Sequence, residues 1–280
     1  MANEEQLAKL RAGTDSWNQW RADHPTADID LSAANLSNTD LKGADLRGVN
    51  LSRANFIGAS LSEADLTQAN LTRADLSGAD VNKANLTGAN LTGANLLGAD
   101  LAETILSKAT LPGVNLNRSD LSNVNLRECN LSRASLIGVE MSRADLTGAD
   151  LSGANLKRAE LQRTKLSKAN LAGANLEDAR LLSADLSEAN LAEANLKGAR
   201  LNRANLDRAN LTAANLKDAN LLGATLTATI FQAAQLVNVN LSGADLTLAT
   251  LQDASLDGVV LDGATFKETT MPDGTLRTEG

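Results

Sequence analysis

The segment ADLTGADLSGANL, residues 144–156, repeats a five-residue unit of the form Ala-Asp/Asn-Leu-x-x. A large apolar residue holds the same place in each unit, here Leu146, Leu151 and Leu156. The same frame runs without insertion from Leu31 to Met271, through forty-nine consecutive units. Two residues before each large apolar residue stands a small one, most often Ala. A single period therefore governs most of the chain.

A period of five fits neither a regular helix nor a straight strand. On an α-helix, a step of five residues rotates each Leu by roughly 140° from the last, so no apolar stripe forms. On a straight strand the side-chain period is two, so successive leucines would face opposite sides. The pattern works if the chain turns a corner once per unit, with the small residue and the Leu both pointing inward. The sequence therefore predicts an all-β solenoid.

The two residues after each Leu have the chemistry that such corners require. The second is often Gly, as at Gly43, Gly78 and Gly153, and Gly adopts positive φ without steric cost. Pro112 directly follows Leu111, where a fixed φ suits the first turn position. These residues support one turn in every unit.

The composition limits the kind of core and the kind of partner. Aromatic residues make up only 2% of the 280-residue chain, so we expect a narrow interior filled by Leu and Ala. The net charge of −8 excludes a generally basic nucleic-acid binder. Cys129 is the one cysteine, so no intrachain disulfide forms. No apolar leader or run of about 18 apolar residues occurs, so we expect a cytoplasmic protein that does not enter the membrane.

Units such as ADLSGANL, residues 149–156, held in an unbroken frame, resemble the pentapeptide-repeat family. The resemblance covers roughly residues 29–272. It implies a right-handed quadrilateral β-helix with four units per coil, and therefore about twelve coils. The N-terminal region also resembles the short α-helical cap of some cyanobacterial members of the family.

We expect three segments: an N-terminal helical cap at residues 1–28, a pentapeptide-repeat β-helix at 29–272, and a C-terminal tail at 273–280. The cap carries apolar residues that can cover the open first coil: Leu7, Leu10, Trp17 and Trp20. The sequence predicts two short helices in the cap, and Pro25 ends the second of them. At the other end, residues 271–274 predict a closing turn. Either the tail shields that edge, or a second copy covers it and forms a homodimer through the C-terminal coils.

No set of residues has the pattern of a catalytic or cofactor site. His24 is the one histidine and lies outside the repeats, and Cys129 occupies a small inward position. No Cys/His cluster has metal-ligand spacing, and no phosphate-binding loop motif occurs. Carboxylates are numerous, but a filled solenoid offers no cleft in which they would act together. We therefore expect neither an enzyme nor a bound cofactor or metal.

With four units per coil, residues twenty apart stack in columns along each face. One column, which we call the acidic column, contains Asp80, Asp100, Asp120, Glu140 and Glu160, and continues into Arg180 and Arg200. Stacked carboxylates repel each other, which favours a binding role for them. The alternative is that Asp is simply one of the two residues tolerated before Leu.

A second column alternates apolar and polar residues on the neighbouring corner. Its apolar members, which we call the apolar strip, are Ile57, Leu97 and Ile137. Single exposed apolar residues are ordinary, whereas a row of them on a flat face is a candidate docking surface.

These features favour a non-enzymatic protein–protein interaction scaffold, in which flat and rigid faces bind an unidentified protein partner. A regulatory role is suggested by the resemblance to cyanobacterial members. The alternative is a DNA mimic that inhibits DNA gyrase, as the resemblance also allows. Residues 31–271 carry only a net −4, whereas duplex DNA carries one charge per about 1.7 Å, so the mimicry is poor overall. We expect no direct nucleic-acid binding.

Overall fold

A computed structural model of the chain describes residues 2–278. It divides into two compact units, Met1–Ser135 and Leu136–Gly280, which we call the N-terminal and C-terminal units and describe separately. The regular elements are α1 (Glu4–Arg11), α2 (Thr14–Asp23), β1 (Thr269–Thr270) and β2 (Leu276–Arg277). Met1 of the expected cap, and Glu279 and Gly280 of the expected tail, lie outside the described residues.

Both units are built from coils of twenty residues. In each, the residue before a core Leu forms a single parallel bridge with the residue twenty positions later, as in Asp80 with Asp100 and in Asn155 with Asn175. Four pentapeptides therefore complete one coil. The expected β-helical solenoid is present in each unit.

The unit Asn170–Ala174 shows why this geometry is stable and why Asn or Asp precedes Leu. The N–H of Asn170 donates to Ala149 of the preceding coil at 2.9 Å, and those of Leu171 and Gly173 donate to the following coil at 2.6 and 2.9 Å. The Ala174 N–H closes the turn on the Leu171 oxygen at 3.0 Å. The remaining N–H, of Ala172, donates to the side-chain oxygen of Asn170 at 3.3 Å. All five donors of the unit are thereby satisfied.

The interior of each unit is narrow and almost entirely apolar. The core leucines between Leu31 and Leu251 are almost completely buried, as are Phe56 and Phe231. Each such side chain contributes about 1.5–3 kcal/mol relative to an exposed one. A few polar side chains replace the small inward Ala, and each hydroxyl donates to a main-chain oxygen 23 residues earlier. These residues are Thr104, Ser119, Thr164, Thr229 and Thr269.

The second turn residue has positive φ whether or not it is glycine. Gly78 has φ of 62°, but Arg53 and Glu63 have 59° and 60° at the same place in their units. From the sequence alone, this conformation was expected only at Gly. The regular coil geometry imposes it on the other residues as well, at a steric cost that the surrounding hydrogen bonds offset.

The C-terminal end differs from the rest of its unit. β1 and β2 pair in antiparallel fashion, with Thr269 opposite Arg277, and Gly274 closes the expected turn by donating to the Met271 oxygen at 2.9 Å. The inward leucines Leu256 and Leu261 are only half-buried. Burial of the inward leucines is therefore incomplete at this end, since these leucines lack a complete following coil.

Among residues 2–278, no helix combines the length and the apolar character needed to cross a membrane.

Candidate interaction surfaces

The two N-terminal helices bury the residues that the sequence proposed as a cap. Leu7, Leu10 and Trp17 are almost completely buried. Trp20 is half-buried, with its ring centroid 5.3 Å from that of Trp17 and 5.0 Å from that of His24. Trp17 and Trp20 therefore lie side by side, and Trp20 is less buried than the other three predicted capping residues.

Polar side chains of the same helices meet the main chain of the first coil. The indole Nε1 of Trp17 donates to the Asp45 oxygen at 2.8 Å, and Arg21 Nη2 donates to the Arg47 oxygen at 2.8 Å. Arg11 Nη2 donates to the Asn35 oxygen, also at 2.8 Å. These carbonyl groups would bond to a preceding coil if one existed. Side chains of α1 and α2 therefore donate hydrogen bonds to main-chain oxygens at the edge of the first coil, which would otherwise be unpaired.

Charge reinforces this contact. The guanidinium group of Arg47 donates to both carboxylate oxygens of Asp45, at 2.8 and 2.6 Å, and the buried Arg21 lies 3.6 Å from the same carboxylate. The hydrogen bond from Arg47 lowers the pKa of Asp45 and raises the pKa of Arg47. Asp45 is therefore ionised at neutral pH.

The three members of the acidic column in the N-terminal unit stack directly. Asp80 bridges Asp100, and Asp100 bridges Asp120. In each, Oδ1 accepts the N–H two residues later, at 3.1, 2.9 and 2.8 Å respectively. One oxygen of each of these carboxylates therefore completes a turn, and Oδ2 of Asp80 also accepts from Ser60 Oγ at 3.5 Å. These residues have a structural role whether or not they bind a partner.

In the C-terminal unit, the same position changes sign. Glu140 bridges Glu160, and Glu160 bridges Arg180, which bridges Arg200. Arg180 Nη1 lies 3.1 Å from Glu160 Oε1. The charge of Glu160 is thus partly neutralised by the next coil, which the sequence pattern alone did not indicate.

The members of the apolar strip are exposed in both units. Ile57 and Leu97 have exposed fractions of 44% and 43% in the N-terminal unit, and Ile137 has 38% in the C-terminal unit. In the N-terminal unit, Ser77 occupies the same position on the coil between those of Ile57 and Leu97. Its Oγ accepts a hydrogen bond from Asn95 Nδ2 at 2.7 Å.

Groups with catalytic potential are used in the fold. Burial raises the pKa of the Cys129 thiol to about 12, and its Sγ donates to the Leu106 oxygen. Nδ1 of His24 lies 2.9 Å from the Trp20 oxygen. Within residues 2–278, no group of three or more His, Cys, Asp or Glu side chains is arranged to hold a metal ion.

Profiles of known families match nearly the whole repeat region. The profile described as Pentapeptide repeats matches residues 29–68, 50–88, 69–107, 84–123, 115–153, 204–243 and 244–277. A second profile, described as a Pentapeptide repeat region, matches residues 139–211. The chain belongs to the pentapeptide repeat family. No match was found among curated proteins.

Solved structures of other pentapeptide repeat proteins are similar to this one. HetL, from the cyanobacterium Nostoc sp. strain PCC 7120 and involved in heterocyst differentiation regulation, is 30% identical, with 99% of this chain and 100% of HetL covered and a TM-score of 0.42. A protein of the Arabidopsis thaliana thylakoid lumen is 33% identical, with coverage of 36% and 70% and a TM-score of 0.36. QnrB1, a plasmid-mediated fluoroquinolone resistance protein, is 19% identical, with coverage of 82% and 90% and a TM-score of 0.46.

Asparagine ladders in this pentapeptide repeat protein serve the fold. Nδ2 of Asn175 donates to Oδ1 of Asn155 at 3.3 Å, and the pattern continues to Asn195 and Asn215 at 3.1 Å each. The same Oδ1 atoms accept turn N–H groups. Both the donors and the acceptors of these side chains are therefore used within the stack.

Three more exposed apolar residues, one in the N-terminal unit and two in the C-terminal unit, were not among the candidates predicted from the sequence. Ile105 is 41% exposed, and Leu182 and Leu222 are 46% and 44% exposed. The signal was available, because Ile105 stands where almost every other unit has a polar residue before Leu. Leu182 and Leu222 stand directly after a core Leu, at a turn position that is usually polar.

Proposed function

We propose that this pentapeptide repeat protein is a non-enzymatic scaffold that binds a protein partner through flat faces of the solenoid. The observation that carries the proposal is the saturation of repeat units with Asn or Asp before Leu, such as Asn170–Ala174, in which all five N–H groups bond within the fold. Only outward side chains, held at regular intervals, remain for recognition. Because the main chain that carries these side chains is already held by hydrogen bonds between coils, little main-chain conformational entropy is lost when a partner binds.

We also propose the detailed architecture of the chain. It comprises an N-terminal cap at residues 1–28, a right-handed quadrilateral β-helix of about twelve coils at 29–272, and a tail at 273–280. Contacts from Arg11, Trp17 and Arg21 to the first coil support the capping role. We further infer a cytoplasmic location and a regulatory role, the latter by analogy with the role stated for HetL.

The apolar strip is the first candidate surface for the partner. The test is co-purification from cells, comparing the wild-type chain with a variant carrying Ile57→Asp, Leu97→Asp and Ile137→Asp. We expect the variant to lose proteins that the wild type retains. Ile105→Asp is the matched control, since Ile105 is equally exposed at a different repeat position. Retention of the same proteins by the triple variant would end the role of this strip.

Stacked carboxylates favour one alternative, a DNA mimic that inhibits DNA gyrase. Asp80, Asp100 and Asp120 lie on consecutive coils, about 4.8 Å apart, and present a local row of charge. A supercoiling assay separates the two functions. Inhibition by the wild type that disappears when these three residues become Asn would favour mimicry over the scaffold.

A homodimer through the C-terminal coils is also part of the proposal. Leu256 and Leu261 are half-buried there, and Val260 is 44% exposed. Sedimentation equilibrium should show a dimer that Val260→Asp dissociates. A strict monomer at high micromolar concentration would remove this element of the proposal.

A further inference from the structure

Four arginines and two leucines of the C-terminal unit form one exposed surface, which we call the arginine–leucine patch. The N–H of Arg163 donates to the Leu182 oxygen at 2.9 Å, and that of Arg203 donates to the Leu222 oxygen at 2.9 Å. Arg180 and Arg200 form a parallel bridge and precede the same corner. These contacts place the six residues on adjoining coils. The patch consists of Arg163, Arg180, Leu182, Arg200, Arg203 and Leu222.

The charge of the patch is largely uncompensated. Arg180 pairs with Glu160 at 3.1 Å. Across residues 2–278, Arg163, Arg200 and Arg203 have no carboxylate within ion-pair distance. Arginine stays charged at every physiological pH, so the patch is a local concentration of positive charge on a protein with a net charge of −8. Because Arg163, Arg200 and Arg203 form no ion pair among residues 2–278, they are available to the carboxylates of a partner.

The main chain under the patch cannot accept an added strand. The Arg200 N–H donates to the Ala179 oxygen at 2.9 Å, and the Arg200 oxygen accepts from Leu181 at 2.7 Å. Recognition by β-strand addition needs free main-chain groups at a sheet edge, and the bridging residues Arg180 and Arg200 offer none, since the N–H and the oxygen of each are bonded to neighbouring coils. A partner must therefore contact mainly the side chains of this face, as a helix does when it lies on a flat surface.

The spacing of the apolar side chains matches the pitch of an α-helix. Leu182 and Leu222 are two coils apart, which is about 9.6 Å at a strand spacing of about 4.8 Å. Two turns of an α-helix, from residue i to i+7, rise about 10.5 Å. Arg180 and Arg200 are one coil apart, close to the rise of one helical turn, about 5.4 Å. A helix lying along the stack could thus contact both leucines and place acidic side chains beside the arginines.

We propose that the arginine–leucine patch binds an acidic amphipathic α-helix of a protein partner. This inference rests on the proposed scaffold function and names the chemistry of one partner element. Apolar residues of the helix cover Leu182 and Leu222, and its glutamates or aspartates pair with Arg163, Arg200 and Arg203. A nucleic-acid backbone would neutralise the arginines but would leave both leucines without apolar contact.

The test is fluorescence anisotropy with a labelled, stapled helical peptide and the full-length chain. The peptide carries two leucines seven residues apart and glutamates on the same side. In the control peptide the second leucine is moved two positions onward, which places it on the opposite side of the helix, because each residue turns about 100°. A duplex DNA of similar charge is the third probe.

We expect the wild type to bind the first peptide more tightly than the control peptide. The pair Arg200→Ala and Arg203→Ala should weaken binding about tenfold, since each exposed ion pair contributes modestly. The pair Leu182→Ser and Leu222→Ser should weaken it as well. Matched controls are Arg133→Ala and Leu248→Ser, which change exposed residues of the same types outside the patch.

Three results would overturn the proposal. These are absence of binding to the first peptide, equal binding of both peptides, and unchanged binding by the arginine and leucine variants. Tighter, arginine-dependent binding of the duplex DNA would replace the protein partner with a nucleic acid. None of these results bears on the cellular partners lost by the Ile57, Leu97 and Ile137 variant, so the scaffold proposal is tested separately.

Discussion

The indole Nε1 of Trp17 donates a hydrogen bond to the main-chain oxygen of Asp45 at 2.8 Å. Trp17 belongs to α2, whereas Asp45 belongs to the repeat region, so this bond joins the helical segment to the solenoid. The Asp45 N–H is satisfied in the same way, since it donates to Oδ1 of Asn18 at 2.8 Å. Helical side chains thus replace the coil that is missing before the first one.

Trp17→Phe tests this replacement. The substitution keeps an aromatic ring but removes the donor, and it leaves a smaller side chain in a fully buried site. We expect a loss of about 2 kcal/mol in the free energy of unfolding, from the unsatisfied carbonyl and the reduced packing. Urea denaturation followed by circular dichroism measures it.

Trp20→Phe is the control for that experiment. Trp20 is half-buried and contacts His24 and Trp17 through its ring, which Phe partly preserves. We expect a loss below about 1 kcal/mol, as for other partly exposed sites. An equal or larger loss for Trp20→Phe would contradict the special role of the Trp17–Asp45 bond.

Acid should weaken the contact around Asp45. The folded-state pKa of Asp45 is lowered, chiefly by its hydrogen bond with Arg47, so the unfolded chain binds a proton more readily than the folded one. The stabilisation is fully present above the unfolded pKa of about 3.9 and is lost as the pH falls through the lowered pKa. The same direction holds for Asp30 and Asp245.

The expected result is a urea midpoint that is flat between about pH 7 and pH 5 and falls below about pH 4. Asp45→Asn should lower the midpoint at neutral pH and reduce its fall in acid. Asp75→Asn is the matched variant, because Asp75 accepts from Ser77 and, within residues 2–278, no arginine forms an ion pair with its carboxylate. Identical pH profiles for the wild type and Asp45→Asn would show that the Arg47 pair does not link stability to pH.

Gly78 allows the cost of the turn conformation to be measured without a clash. Its φ is 62°, and a Cβ added there would meet no atom within 4 Å. We expect Gly78→Ala to destabilise the fold by about 1 kcal/mol, Gly78→Asn by less and Gly78→Val by more, following the tolerance of each residue for positive φ. Thermal unfolding of the three variants checks the order. Equal stability of all three would mean that the corner relaxes to another conformation.

The repeat frame and its inward direction were predictable because they follow from the period alone. Leu171 and Ala174 are buried, whereas the turn residues Ala172 and Gly173 are half-buried and exposed, as the corner argument requires. The number of units per coil was not predictable in this way, since a period of five allows any number of corners per coil. That number came from the family resemblance. The two-residue strands β1 and β2 were also missed, because such short segments show no alternation of apolar and polar residues.

The candidate surfaces were predictable only in part. Exposure of Ile57 and Leu97 followed from their turn position, and both are exposed. The pairing of Glu160 with Arg180 did not follow from the sequence, because it depends on which rotamer bridges two coils. For the same reason, the sequence could not show that Arg200 and Arg203 have no carboxylate partner.

Substitution of two leucines tests which repeat positions face the core and which face the surface. Leu171→Ala should cost about 2–5 kcal/mol, because Leu171 is fully buried. Leu182→Ala should cost less than about 1 kcal/mol, because Leu182 is 46% exposed. Guanidinium denaturation of both variants measures the difference. A similar cost for the two would contradict the assignment of inward and outward positions.

The central claim is that consecutive coils are joined by main-chain hydrogen bonds nineteen residues apart. In the C-terminal unit, the Leu171 N–H donates to the Asn190 oxygen at 2.6 Å. Scalar coupling across the hydrogen bond, measured by NMR on deuterated protein, detects this pair directly. We predict coupling between the amide nitrogen of Leu171 and the carbonyl carbon of Asn190. Coupling of Leu171 to residue 167, as in an α-helix, would contradict the solenoid.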